Sequence, residues 1–311
     1  MTRRPLALLV ALLPACRHPL AGVGPPGEIG VVLPDAATGD RAPRTDDLTL
    51  TIHGHARHLI VHLPGGDATR ALPLVFNLHG SGGTASGQQA YTAMDTLADA
   101  QGFIAAYPDG AVALGGGFAW NVPGQPLSGG GAVPPDAADD VAFFAQAIAI
   151  LGQRYAIDGR RIYATGFSGG GRMASQIGCD LSPVVAAVAP VSGLRFPGPC
   201  ADARAVPVIS FHGTADTTNP YEGGGPTYWT YSVPSAAAQW AAHDGCAATP
   251  EVTQAAAGVE LSAYRGCTAG AEVALYTIAG AGHEWPGAPQ QAFTIDASSV
   301  MWAFFTAHPL P

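Results

Sequence analysis

Arg161-Ile162-Tyr163-Ala164-Thr165-Gly166-Phe167-Ser168-Gly169-Gly170-Gly171-Arg172-Met173-Ala174 decides the fold. The β-branched and aromatic run Ile162 to Thr165 predicts a strand, Gly166 to Gly170 a Gly-x-Ser-x-Gly turn, and Arg172 to Ala174 the start of a helix. A strand that turns so abruptly into a helix strains the residue at the corner and lifts its side chain clear of the sheet. Gly166 and Gly170 keep side chains out of the space where the segments approach. The amide of Gly169, at the helix N-terminus, is aimed at developing negative charge. Ser168 is therefore the candidate nucleophile.

Strand and helix signals alternate on both sides of this stretch. Leu48 to Ile52 and Arg57 to Leu63 read as strands joined at His53-Gly54-His55. Leu72 to Leu78 and Phe103 to Tyr107 read as buried strands around a helix from Gln89 to Gln101. Residues 111–138 form a long Gly- and Pro-rich loop, of the kind that carries function in a compact domain. Asp139 opens a helix whose Val141, Phe144, Ala145, Ile148, Leu151 and Tyr155 recur at helical spacing, a core face. Strands at Val184 to Pro190, Val206 to Phe211 and Glu272 to Ile278 follow, with helices at Ser235 to Ala242 and Ile295 to Ala307. The pattern predicts one α/β catalytic domain with a mostly parallel, doubly wound sheet.

A serine hydroxyl needs a base within hydrogen-bond reach, and the base needs an acid to orient it. Asp216 stands on the turn leaving the Val206 to Phe211 strand, and His283 on the loop after the last strand. The order Ser168, Asp216, His283 is that of the α/β-hydrolase fold. Among the competitors, His212 is too near its own strand end and suits a hydrogen bond to a loop. His243 beside Asp244 reads as a surface residue, and His308 falls in the final helix. Glu284 would have to reach past its neighbour to replace Asp216. A second oxyanion donor is expected from the amide of Ser81, in the glycine turn His79-Gly80-Ser81-Gly82-Gly83 at a strand end.

Bulk composition narrows the function classes. Fourteen basic against 23 acidic residues give a net charge of −9, which argues against a nucleic-acid partner. No phosphate loop or dinucleotide fingerprint is present, so no cofactor is implied. His58 and His62 share a strand face, read as solvated rather than as a metal site. At the N-terminus, Arg3 and Arg4 precede the apolar run Leu6 to Leu13, which is too short to span a bilayer and matches a signal-peptide core. Leu13-Pro14-Ala15-Cys16 resembles a lipobox, which would make Cys16 a lipidation site and the product a secreted protein or a cell-surface lipoprotein. The expected organisation is a leader at 1–16, a Pro/Gly-rich tether at 17–46 and the catalytic domain at 47–311. Cys179, Cys200, Cys246 and Cys267 suit disulfides in an exported chain; three pairings are open and the local one, 179 with 200 and 246 with 267, is the simplest.

With these residues in place, the chain resembles the family that joins bacterial poly(3-hydroxybutyrate) depolymerases to feruloyl and acetylxylan esterases. The matching stretches are Leu78-His79-Gly80, Gly102-Phe103, Tyr107-Pro108-Asp109-Gly110, Asp139-Asp140-Val141 and Tyr163 to Gly171. They continue with His212 to Asp216, Pro220-Tyr221 and Gly282-His283-Glu284-Trp285-Pro286-Gly287, with Cys246 and Cys267 set as the family sets a cysteine pair. The resemblance implies an α/β-hydrolase fold and a serine carboxylic-ester hydrolase with Ser168, Asp216 and His283 as triad. It further implies Trp120, Tyr221 and Trp285 as residues lining the substrate cleft. The implied substrates are hydroxyalkanoate esters and oligomers, or alternatively feruloyl or acetyl esters of plant polysaccharides. A serine peptidase and a non-catalytic glycan-binding lipoprotein are weaker rivals. Two departures stand out: Glu284 where the family more often has Thr, and a sequence ending at Pro311 just after the last helix, from which attack on crystalline polyester is not expected.

Overall fold

Residues 39–200, 203–289 and 291–311 are described by a computed structural model. The expected leader, Cys16 and all but the end of the tether lie outside them. In chain order the elements are β1 (Asp40–Arg41), β2 (Arg44–Ile52), β3 (His55–Leu63), β4 (Gly66–Asp67), β5 (Leu72–Leu78), α1 (Ala85–Thr92), α2 (Met94–Gln101), β6 (Ile104–Pro108), β7 (Val112–Leu114) and β8 (Gly117–Ala119). They continue with α3 (Asp140–Arg154), β9 (Ile157–Phe167), α4 (Gly169–Asp180), β10 (Ala187–Val191), β11 (Val208–Gly213), α5 (Val233–His243), β12 (Glu251–Ala256), β13 (Val259–Tyr264), β14 (Val273–Ile278) and α6 (Ala297–Ala307).

Ten strands form one sheet in the order β12-β13-β14-β11-β10-β9-β5-β6-β3-β2. The six central strands, β14 to β6, are parallel, and an antiparallel hairpin extends each edge. Every residue of β5, β10 and β11 is buried, the signature of strands covered on both faces. Alternation along β5 sorts the two layers. Leu74, Phe76 and Leu78 join Phe143, Phe144, Met173, Ile177 and Trp240 of α3, α4 and α5. Val75 points the other way, with Met94, Ala98, Met301 and Phe305 of α2 and α6.

The chain leaves β5 for β6 on one side and later returns to β9 on the other. The reversal falls between β5 and β9, where Leu78 is in register with Gly166. Open parallel sheets bind ligands outside the carboxyl ends of the strands at such a switch point. His79 to Gly83 and Ser168 both emerge there.

Five expectations change. The helix read over Gln89 to Gln101 is two, broken at Ala93, whose φ of 47° is left-handed. The 111–138 loop holds the hairpin β7–β8. The hairpin β12–β13 was not foreseen, because the solvent-facing β12 carries polar and small residues; Gly258 between two short Val-containing runs was its signal. Structure also begins before residue 47: β1 pairs with β4, and Tyr155 donates from its hydroxyl to Asp46 Oδ2 at 2.7 Å. The cysteines pair locally, Cys179 with Cys200 and Cys246 with Cys267, as the simplest arrangement had it. His62 is buried rather than solvated, set between Thr45 at 3.1 Å and Asp99 at 3.0 Å, while His58 meets Asp109 at 2.6 Å. Helix α2 covers that strand face, and its carboxylates replace water as partners.

Candidate active site

Ser168 has φ 54° and ψ −115°, a conformation that side-chain-bearing residues rarely adopt and that costs on the order of 1–3 kcal/mol. It is held from both sides. Its amide donates to Val191 O at 2.9 Å, and its carbonyl accepts from Arg172 N at 3.0 Å. Packing makes Gly170 obligatory, since a Cβ there would stand 2.3 Å from Leu78 O. The hydroxyl makes no capping bond to α4, so it is not spent on the helix.

His79 shapes the neighbouring loop. Its Nε2 accepts from Gly110 N at 3.0 Å, which leaves Nδ1 to donate to Gly80 O at 2.7 Å. Burial lowers its pKa, favouring this neutral form. Ser81 then lies over the start of α4: a Cβ built on Gly169 would be 3.2 Å from Ser81 N. The two expected oxyanion donors are therefore neighbours.

Asp216 is buried at the turn after β11. Its Oδ1 accepts from the amides of Thr218 at 2.9 Å and Asn219 at 2.8 Å. Its Oδ2 accepts from His283 Nδ1 at 2.7 Å. Burial alone would raise this carboxyl, but hydrogen bonds from His212 and His283, then the Asn219 amide, outweigh it and hold the group well below the carboxylate range. With Nδ1 engaged, the Nε2 of His283 is the nitrogen left for proton transfer. The His283 ring packs against Phe167, the residue before Ser168, with centroids 4.7 Å apart.

The expected competitors have partners of their own, although His212 Nε2 also lies 3.3 Å from Asp216 Oδ2. His212 Nε2 donates to Asn219 O at 2.8 Å, the loop bond expected of it. His243 is not a free surface residue: it is half-buried and paired with Asp244 at 2.7 Å. His308 donates to Phe304 O at 2.8 Å. The carboxylate of Glu284 turns back to the amide of Gly282 at 3.2 Å.

Two expected cleft residues need correction. Trp120 is buried and donates from its indole to His79 O at 2.8 Å, bracing the His79–Gly83 loop. Trp285 is fully buried and donates to Ser298 Oγ at 3.0 Å, anchoring the His283 loop to α6. A large ring with one N–H is satisfied by burial plus a single acceptor, and both loops supply that. Tyr221 is half-buried, its hydroxyl 2.8 Å from Thr277 Oγ1. An open depression of about 440 Å³ adjoins the site, lined by Gly258, Ile278, Gly280, Glu284 and Phe293, but it includes neither Ser168 nor His283.

Sequence reading missed the second histidine on Asp216, at i−4 in its own turn, and Ser128, whose hydroxyl meets Ser81 Oγ at 2.8 Å. His212 was visible as a histidine at a strand end; Ser128 carried no signal inside its loop.

The model of the family described as "Esterase PHB depolymerase" matches residues 58–219. Feruloyl esterase B of Piromyces equi is 34% identical over 239 residues, covering 73% of this chain and 42% of its own length. The bifunctional acetylxylan esterase/xylanase XynS20E of Neocallimastix patriciarum is 31% identical over 169 residues, covering 54% of this chain and 23% of its own length. The chain thus spans less than half of either relative. An acetyl xylan esterase structure from Aspergillus awamori superposes with a TM-score of 0.58 at 18% identity, covering 84% of this chain and 99% of that one, a likeness of fold.

Proposed function

The chain belongs to the esterase PHB depolymerase family, and we propose that it hydrolyses carboxylic esters through Ser168, His283 and Asp216. The observation that carries this reading is the strained Ser168 at the sheet's switch point, preceded by Phe167, against whose ring packs a histidine already bound to a buried carboxylate. Ser168 Oγ attacks the ester carbonyl carbon while His283 Nε2 takes its proton. The carbonyl oxygen becomes an oxyanion held by the amides of Gly169 and Ser81. Collapse breaks the bond to the alcohol, which leaves with the proton from His283, and an acyl-enzyme remains. Water repeats the sequence, giving its proton to His283 and releasing the acid. Asp216 stays ionised and fixes the imidazole.

Hydroxyalkanoate esters and their oligomers are the proposed substrates, with Tyr221 among the residues along the cleft. A second reading, feruloyl or acetyl esters of plant polysaccharides, is favoured by the identity to the Piromyces and Neocallimastix relatives. Turnover of p-nitrophenyl butyrate should vanish in Ser168→Ala; normal turnover would remove the nucleophile assignment. Hydroxybutyrate oligomers, methyl ferulate and acetylated xylan, compared by kcat/KM, then separate the two readings.

The enzyme is proposed to act outside the cytoplasm, in keeping with two disulfides. No helix among the described residues is long and apolar enough to cross a membrane. Attachment through a lipid on Cys16 predicts membrane partitioning that Cys16→Ser abolishes; equal partitioning of both forms would exclude it.

A further inference from the structure

A chain of three polar side chains runs from the oxyanion loop into the protein. Ser81 Oγ fills the place of a side chain on Gly169: a Cβ there would lie 2.3 Å from it. Ser81 Oγ is 2.8 Å from Ser128 Oγ, and Ser128 Oγ is 2.8 Å from Arg172 Nη2. Arg172 stands one helical turn beyond Ser168 and is 3% exposed. It makes no ion pair with a carboxylate among the described residues, and its Nε and Nη1 have no partner there. Its guanidinium lies 4.6 Å from the centroid of the Tyr228 ring.

The direction of this chain follows from what each group can do. A guanidinium only donates, so Ser128 Oγ accepts from Arg172. The proton of Ser128 has no acceptor among the described residues other than Ser81 Oγ. If Ser81 donated to Ser128 instead, the proton of the half-buried Ser128 would have only solvent to pair with. If Ser128 donates to Ser81, the proton without a protein acceptor is that of Ser81, whose Oγ stands where a side chain would begin on Gly169, the residue whose amide is the expected oxyanion donor. An oxyanion forming at that amide supplies the missing acceptor. With negative charge developed the chain gains a protein-held acceptor at its end, which is when a donor accelerates reaction. The cationic end polarises both hydroxyls in that sense, and a buried cation without an anion is a costly group whose retention this explains.

We propose that the hydroxyl of Ser81 is a third oxyanion donor, and that Arg172, acting through Ser128, is the positioning residue that turns its proton towards the oxyanion. The proposal rests on the ester-hydrolase reading above.

The test compares Ser81→Ala, Ser128→Ala, their double variant and Arg172→Ala on p-nitrophenyl butyrate. A trifluoromethyl ketone, which forms a tetrahedral adduct on the nucleophile, reports transition-state affinity. Ser81→Ala should lower kcat roughly 10²-fold with KM little changed, and weaken the ketone by the same factor. Ser128→Ala should lose less, and the double variant should be no slower than Ser81→Ala alone, because Ser128 acts only through Ser81. Added methylguanidine should restore part of the kcat lost in an Arg172→Ala variant. Wild-type kcat in Ser81→Ala, or independent additive losses in the double variant, would overturn the proposal. Should Ser81→Ala fail to fold by circular dichroism, a Ser128→Ala variant with unchanged kcat and ketone affinity overturns it instead. Diethyl p-nitrophenyl phosphate separates the two levels. No stoichiometric nitrophenol release from the wild type defeats the ester-hydrolase reading itself, whereas release by a fully active Ser81→Ala defeats only the relay.

Discussion

His212 Nε2 lies 3.3 Å from Asp216 Oδ2, the same oxygen that His283 Nδ1 reaches at 2.7 Å. One carboxylate oxygen therefore faces two imidazoles, one on its own turn and one from the loop after β14. His212 is further fixed by Asn219 O at 2.8 Å and by the Trp229 ring stacked at 5.7 Å. It limits where Asp216 can move, and Asp216 in turn sets the His283 ring. His212→Ala is expected to lower kcat roughly 10-fold with KM unchanged, whereas Asp216→Asn should lower it by about 10⁴ because the imidazole tautomer is lost. Steady-state kinetics on p-nitrophenyl acetate check both; equal losses would mean that His212 takes part in the chemistry.

Asp216 also predicts a pH dependence of stability. Its carboxyl is held below its ordinary value, despite burial, by His212, His283 and the Asn219 amide. A group depressed in the folded state contributes stability above its unfolded pKa of about 3.9, and that contribution is lost as pH falls through the folded value. Thermal unfolding should show wild type more stable than Asp216→Asn at pH 6 to 7, with the gap closing below about pH 4. A gap that stayed constant down to pH 3 would show that the carboxylate is not stabilised as described.

Much of this was legible in the sequence because the relevant signals were local. Tyr163 to Gly171 states strand, turn and helix in consecutive residues, and the apolar runs Leu72 to Leu78 and Val206 to Phe211 can hardly be anything but buried strands. What escaped was set by distance. Trp120 and Trp285 looked like cleft aromatics because they sit in loops beside site residues. Their indole N–H groups instead find His79 O, 41 residues away, and Ser298 Oγ on α6. The Ser128 contact with Ser81 joins positions 47 residues apart, and no pattern within either segment encodes it.

Gly169 and Gly170 make separable predictions. At Gly170 a side chain would meet backbone, Leu78 O at 2.3 Å and His79 O at 2.6 Å. At Gly169 it would meet the movable hydroxyl of Ser81 at 2.3 Å. Gly170→Ala should therefore destabilise by about 1–3 kcal/mol as β5 and α4 are forced apart. Gly169→Ala should leave the melting temperature closer to wild type but lower kcat, because Ser81 is pushed aside. Calorimetry and kinetics on the same two variants distinguish these outcomes.

Each disulfide closes a separation of 21 residues, the first joining the end of α4 to the segment before β11. Cross-links of this span stabilise by about 3 kcal/mol in the loop-entropy account. Cys179→Ala/Cys200→Ala should consequently lower the melting temperature by roughly 6–12 °C in a domain of this size. Incubation with dithiothreitol opens both disulfides and should shift the wild type further than this, the double variant responding only through Cys246 and Cys267.

Asp140 ties the 111–138 loop to the sheet. It is fully buried, paired with Arg57, and its Oδ2 accepts from Asn121 N at 2.7 Å and Ala111 N at 3.3 Å. Arg57 also donates to Asp109 O at 2.9 Å and lies over the Phe143 ring. Removing one partner of such a pair leaves an unpaired buried charge, which typically costs about 3–5 kcal/mol. Asp140→Ala should therefore unfold well below wild type in urea. Because the same change frees the amides of Ala111 and Asn121, and Ser128 follows Asn121 in the same loop, kcat should fall in whatever fraction remains folded. Asp140→Asn keeps the acceptor oxygen and should recover part of the kcat but little of the stability. If it recovered stability as fully as activity, the charge on Asp140 would be dispensable and only its geometry would hold the loop.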